Sequence, residues 1–204
     1  MIQEASPALT LSSETSTNLG LASNPPLAFA CLVVLVGPPG SGKSTWVSRN
    51  GRGAVHVSQD GLIDAITPEG FEHTYRPIYR AAEDAVARAA LETGFTVLVD
   101  RTNRTREHRK RWLRIAEEAG CPAVAVVMTA SAPVCRVRNR MREARRRLSE
   151  SRMERMLAAH EAVCRDEGFA AIFESEHTTL REIITVLRSM RKETSDEHRN
   201  ETRR

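Results

Sequence analysis

The chain has 204 residues, room for one α/β domain with tails and little for two. With 41% hydrophobic and 27% charged residues it is not wholly disordered, and 11 Gly and 9 Pro without a sustained heptad exclude collagen and coiled coil. Aromatics at 4% argue against a broad base-stacking platform, and a formal net charge of +4 permits a polyanionic partner without requiring one.

Residues 1–27 are rich in Ser, Thr and Asn, end near Pro25-Pro26, and read as a flexible tail. The longest apolar run, Leu27 to Val36, is about half the roughly 20 residues a membrane helix needs. No Lys or Arg precedes Lys43, so no signal peptide is expected and no membrane partner. The continuous run Leu32–Val36 reads as a strand covered on both faces. Ala54–Val57 is expected as a second strand, Phe95–Val99 as a third ending at Asp100, Val124–Met128 as a fourth and Ala170–Phe173 as a fifth. Between them lie helical stripes. One carries Ile78, Ala81, Ala82, Ala85, Val86 and Ala89 and stops at Gly94. Another carries Trp112, Leu113, Ile115, Ala116 and Ala119 and stops at Gly120. A third runs from about Ala132 to Leu148, and a fourth carries Met153, Met156, Leu157, Val163 and Cys164 up to Gly168. The last, Leu180 to Met190, opens on a Thr179-x-x-Glu182 capping box, and residues 192–204 read as a frayed, charged tail. Alternating strands and helices predict an α/β domain over residues 28–191: a three-layer sandwich around a mostly parallel sheet of about five strands. Ligands then belong at the carboxyl ends of the strands.

Cys31, Cys121, Cys135 and Cys164 show no C-x-x-C or zinc spacing; they are expected as free thiols in a reducing cytosol, Cys31 and Cys164 on apolar faces.

Gly37-Pro38-Pro39-Gly40-Ser41-Gly42-Lys43-Ser44 matches G-x-x-x-x-G-K-[ST] between a strand and a helical stretch. Such a loop curls its amides around phosphate oxygens, and the following helix, which Thr45 begins, points its positive end at the same anion. Lys43 is placed to reach the β/γ-phosphates and Ser44 to ligate Mg²⁺. With no guanine-reading N-K-x-D, the nucleotide is expected to be ATP. A motor ATPase ends a strand in paired acids, whereas Val99-Asp100-Arg101-Thr102-Asn103 has one.

A kinase needs an acid near the acceptor hydroxyl and cations over the transferring phosphate. Asp60, just after the second strand, fits the first role; the competing reading makes it the N-cap of a short helix, Gly61 to Ile66. Arg138 and Arg142, four apart on the third helix and continued by Arg145, form a candidate lid, or else a solvated basic face. Seven basic residues between Arg101 and Arg114 (101, 104, 106, 109, 110, 111 and 114) form either a track for a polynucleotide or an exposed helix face. Trp46, Trp112, His56, His73 and His160 read as structural.

In combination, the phosphate loop, Asp60, Asp100-Arg101-Thr102-Asn103 and Arg138-Asn139-Arg140-Met141-Arg142 resemble the 5′-hydroxyl polynucleotide kinases, over roughly residues 31 to 175. The resemblance implies a P-loop kinase fold with an Arg-bearing helical lid. It implies that Lys43 and Ser44 hold ATP phosphates and Mg²⁺, Asp60 is the general base, Asp100 joins the Mg²⁺ network, and Arg138 and Arg142 close over the phosphates. Family members often carry an Arg three residues after the basic Asp to hold the acceptor's 3′-phosphate. Here Ile63 stands there, and Arg76, Arg80, Arg101 or Arg104 are the candidates left for that task. The expected acceptor is the 5′-OH end of DNA or RNA. A small hydroxyl compound (a sugar, antibiotic or metabolite) and a nucleotide-binding regulatory module without phosphotransfer are the competing readings.

Overall fold

The structure is a computed structural model that describes residues 29–201, so the expected tail 1–27 lies outside the described residues. The five apolar runs form β1 (Leu32–Val36), β2 (Val55–Ser58), β3 (Val97–Asp100), β4 (Ala123–Val127) and β5 (Ala171–Glu174). All four neighbouring pairs are parallel, in the order β2-β3-β1-β4-β5. The helices are α1 (Lys43–Asn50), α2 (Gln59–Ile66), α3 (Arg76–Glu92), α4 (Arg106–Glu118), α5 (Ala132–Arg140), α6 (Glu150–Ala158) and α7 (Leu180–Glu201).

Every residue of β1 is buried because its two faces meet different helical layers. Leu32, Val34 and Val36 pack with Ala87, Leu91, Trp112 and Ile115 of α3 and α4. Val33 and Leu35 pack with Trp46 and Val47 of α1 and Ile183 and Leu187 of α7. These are the three layers expected of the P-loop kinase fold. Among the described residues, no helix is long and apolar enough to cross a membrane.

The structure corrects several expectations. Helix α3 exists where its stripe predicts, but rotated by about one residue: Tyr79, Glu83, Ala87, Ala90 and Leu91 are buried, while Ile78, Ala81, Ala85, Val86 and Ala89 face solvent. Glu83 is the cause. Its carboxylate, fully buried, takes Arg101 at 2.5 Å and Arg111 at 3.0 Å, so a charged residue occupies the core face. Helix α5 stops at Arg140, not near Leu148, because the Asn139 side chain bonds Leu148 in both directions (2.9 and 3.1 Å) and folds residues 140–148 into a closed loop. Helix α6 stops at Ala158, and Cys164 is an exposed loop residue rather than part of an apolar face. Helix α7 runs to Glu201, eleven residues beyond Met190, so backbone helix continues into the expected tail.

The basic run of residues 101–114 is neither an open track nor a plain solvated face. Arg109 is fully buried against Glu167, Arg111 pairs with Glu83 and Asp84, and Arg106 pairs with Asp166. Arg104 and Lys110 carry no ion pair among the described residues.

Candidate functional site

The carboxyl ends of β1, β2 and β3 open into one cleft of 1520 Å³, lined by Gly40 to Thr45, Asp60, Asp100, Arg101, Arg138 and Arg142. That exceeds the roughly 300–1,000 Å³ typical of a single small-molecule site, leaving room for a nucleotide and a second substrate.

The phosphate loop is shaped by left-handed glycines. Gly40 (φ 80°) and Gly42 (φ 101°) adopt a conformation other residues rarely take. A Cβ on Gly40 would also stand 2.6 Å from the Cys135 carbonyl of α5, so no side chain fits there. Gly37 donates its N–H to Thr102 (3.1 Å), joining the loop to the turn after β3. Gly42 is the N-cap of α1 and brings no side chain to it, so the first-turn amides of Lys43, Ser44 and Thr45 remain available to an anion. Lys43 lies buried across this loop and donates to the carbonyls of Gly37 and Pro38, both at 2.9 Å. The Pro38 carbonyl also accepts from Ser41 N, a turn that leaves Pro39 at the cleft wall.

Asp100 ends β3 beside this loop. Burial alone would push its carboxyl up; hydrogen bonds from His56 and Ser44 and the Lys43 charge outweigh burial and hold it below the usual carboxylate range. His56 Nε2 stands 3.3 Å from Asp100 Oδ2, a contact that the pairing of Ser58 with Asp100 across β2 and β3 makes possible. The sequence alone reads His56 as structural; the structure adds its contact with Asp100. Ser44 Oγ and the Asp100 carboxylate, hard oxygen ligands on one side of the loop, suit Mg²⁺.

Asp60 lies in the first turn of α2 and lines the cleft, close enough for its charge to act on Lys43. It is not the N-cap: Ser58 takes that place and accepts from Gly61 N at 3.3 Å. The structure brings Arg138 and Arg142 together by a different route from the one expected. Arg138 sits in the last turn of α5 and donates to the Gly40 carbonyl at 3.3 Å. Arg142 lies beyond the helix end, delivered by the Asn139-stapled loop. Arg145 and Arg146, further along that loop, pair with Asp64 of α2 at 3.3 and 2.6 Å. The sequence pattern assigns no role to Asp64 or Asn139; for Asn139, its place between Arg138 and Arg142 is the one available signal.

Burial lowers the Lys43 pKa from 10.5 to about 8; Asp100 opposes the shift and Arg142 adds to it. The ammonium charge is therefore present below about pH 8 and lost above it. A bound polyphosphate favours the charged form, so nucleotide affinity should fall as pH rises from 7 to 9.5. Calorimetry at pH 8–9 in buffers of different ionisation enthalpy should show proton uptake on binding. An affinity flat across this range would contradict a Lys43–phosphate contact.

A parallel sheet with this loop at its switch point defines a P-loop nucleotide-binding domain of the kinase-like type. The chain belongs to the AAA domain family, whose model matches residues 32–163. It is 31% identical over 110 residues to the bifunctional polynucleotide phosphatase/kinase of Schizosaccharomyces pombe, covering 53% of this chain and 23% of that protein. The chain thus matches under a quarter of that relative's length. Among solved structures, a candidate kinase of Chloroflexus aurantiacus superposes with a TM-score of 0.62 at 16% identity, covering 82% of this chain and 98% of that one. Kti12 of Chaetomium thermophilum in complex with ADP-AlF3 gives 0.59 at 16% identity, covering 78% and 97%. Both likenesses are of fold.

Proposed function

We propose that residues 28–191 form an ATP- and Mg²⁺-dependent kinase of an acceptor hydroxyl, with the 5′-OH end of DNA or RNA as acceptor and the cytoplasm as its compartment. The observation that carries the reading is the single cleft in which the phosphate loop, Asp60, Asp100, Arg138 and Arg142 meet. The loop from Gly37 to Thr45 surrounds the nucleotide phosphates and holds them through the first-turn amides of Lys43, Ser44 and Thr45 and the Lys43 ammonium. Ser44 and Asp100 hold Mg²⁺, which when bound neutralises phosphate charge. Asp60 accepts the proton of the acceptor hydroxyl. The freed oxygen bonds to the γ-phosphorus as the bond to the β–γ bridging oxygen breaks and ADP leaves. Arg138 and Arg142 lie over the charge that develops in this step.

Ile63, which lines the cleft and stands where the polynucleotide kinases that the chain resembles often carry an arginine, favours a second reading with a small neutral acceptor. ATP consumption measured against 5′-OH oligonucleotides and a panel of small alcohols separates the two. With a polynucleotide, KM for the acceptor should rise several-fold between 50 and 200 mM salt, because each phosphate contact releases counterions (about −0.7 per contact in log–log slope for single strands). A neutral acceptor should show no such slope. Nucleotide binding with no transfer to any acceptor would leave the regulatory module.

A further inference from the structure

Aromatic residues are scarce in this chain: five Phe, two Tyr and two Trp. Yet both tyrosines and one phenylalanine meet in one cluster. Tyr79 is the buried member, at 2% exposure, and its hydroxyl bonds Thr67 Oγ1 and receives Glu72 N. Phe71 leans on its ring at 5.6 Å between centroids and Tyr75 at 6.5 Å. These two outer rings stay 46% and 39% exposed, the aromatic members among the exposed large hydrophobic residues described. Phe71 also lines the same cleft as Asp60.

Cations on α3 and in the turn before α4 are unspent. Arg76 and Arg80, one turn apart on α3, are exposed and carry no ion pair among the described residues. Arg104, in the turn between β3 and α4, has a buried Nε with no hydrogen-bond partner. The three converge with Arg101 on His108: burial first, then these four charges, lowers its pKa. Arg101 is held by Glu83, and Asp64 of α2, which also lines the cleft, is taken by Arg145 and Arg146.

We propose that Phe71 and Tyr75, with Arg76, Arg80 and Arg104, form a docking strip for single-stranded nucleic acid that leads its 5′ end to Asp60. The chemistry selects the occupant. Exposed rings backed by a fixed ring offer flat faces to bases with little side-chain entropy to lose, and the neighbouring guanidinium groups match a phosphate backbone. A duplex keeps its bases stacked on one another and leaves them unavailable to such rings. The inference rests on the kinase reading for the direction of the strand, and it names unpaired rather than paired ends as the substrate class. The low aromatic content still rules out a broad platform; three of the nine aromatic side chains form this one cluster.

The test is fluorescence anisotropy with a labelled single-stranded oligothymidylate of about 8 nucleotides. An abasic strand of equal length and a blunt duplex serve as comparisons, and kinase assays run in parallel. Phe71→Ala and Tyr75→Ala should each weaken binding of the intact strand about ten-fold, leave the abasic strand unchanged, and raise KM for a 5′-OH oligonucleotide. Phe71→Trp should restore binding. Thermal unfolding and nucleotide binding of each variant report on folding. Arg76→Ala combined with Arg80→Ala should weaken both strands and flatten the salt slope. Phosphorylation of 5′-OH ends with an unchanged KM in Phe71→Ala would overturn the strip and leave the kinase reading intact. So would equal losses on intact and abasic strands, or tighter binding of an acidic peptide than of the oligonucleotide. Strand binding through Phe71 without phosphate transfer would sink the kinase reading and leave the strip.

Discussion

Asp60→Asn should lower turnover by ~10² or more while nucleotide affinity stays within a few-fold. The substitution keeps size and hydrogen-bonding shape but removes the group that takes the proton. Asp60 is exposed at the cleft wall, in the first turn of α2, and the Ser58 cap and its bond to Gly61 remain in place. The cost to the helix is limited to a charge–dipole interaction of about 0.3–1 kcal/mol, so unfolding would not account for the loss. ADP release with a 5′-OH oligonucleotide gives kcat, and calorimetry gives the nucleotide affinity. Turnover within ten-fold of the unmutated protein would remove Asp60 as the base. An equal loss in affinity would assign it to nucleotide binding instead.

Arg109→Ala should destabilise the fold by about 3–5 kcal/mol, the usual cost of stranding one half of a buried pair. Arg109 has no exposed surface. It grips both oxygens of Glu167 at 2.6 Å and donates to the carbonyls of Asn103, Glu161 and Ala162 at 3.1–3.2 Å. Truncation leaves a carboxylate and three carbonyls without these donors, plus a void. For a domain of this size the melting temperature should drop by roughly 6–20 °C. The pH dependence carries the sign. Burial raises the Glu167 pKa, but Arg109 and the Cys164 amide outweigh it, so in the unmutated protein the group adds stability above the ordinary carboxylate pKa of 4.5. That contribution is lost as pH falls through its lower folded value. In the variant Glu167 prefers its proton, so the deficit should shrink between pH 7.5 and 5. Arg109→Ala combined with Glu167→Leu should recover part of the loss. A deficit under about 1 kcal/mol would mean that solvent reaches the pair.

The Arg109 cluster also bears on the site. Asn103 takes the left-handed φ of 44°, donates to the Leu35 carbonyl at 2.8 Å and accepts from Trp112 Nε1 at 3.0 Å. With Arg109 on its carbonyl, it fixes the turn that follows Asp100. The Asn in the strand-end motif is thus a structural clamp between β1 and α4.

Leu32–Val36 and the phosphate loop were legible because their causes are local: an unbroken apolar run, two obligatory left-handed glycines, and a lysine at fixed spacing. Asp60 was legible by position, since a loop after β2 must open at the same sheet end as one after β1. The face of α3 was not legible, because a buried Glu83 counts as polar in any pattern, and its partners Arg101 and Arg111 lie 18 and 28 residues away. The delivery of Arg142 is hidden from the sequence for a similar reason. Spacing of i, i+4 suggests a shared helix face, and the amide of Asn139 closes a loop there instead.

By itself, then, the order of residues determined the alternation of strands and helices, the phosphate loop and the acid beside it. Each leaves a local signal in the chain: an apolar run, an apolar stripe at helical spacing, a glycine pattern, or a place just after a strand. Only the tertiary structure decided which of the many arginines are spent holding the fold and which remain free for a ligand. A guanidinium's role is set by whether a carboxylate meets it, and that partner can lie as far along the chain as Asp64 does from Arg145, 81 residues.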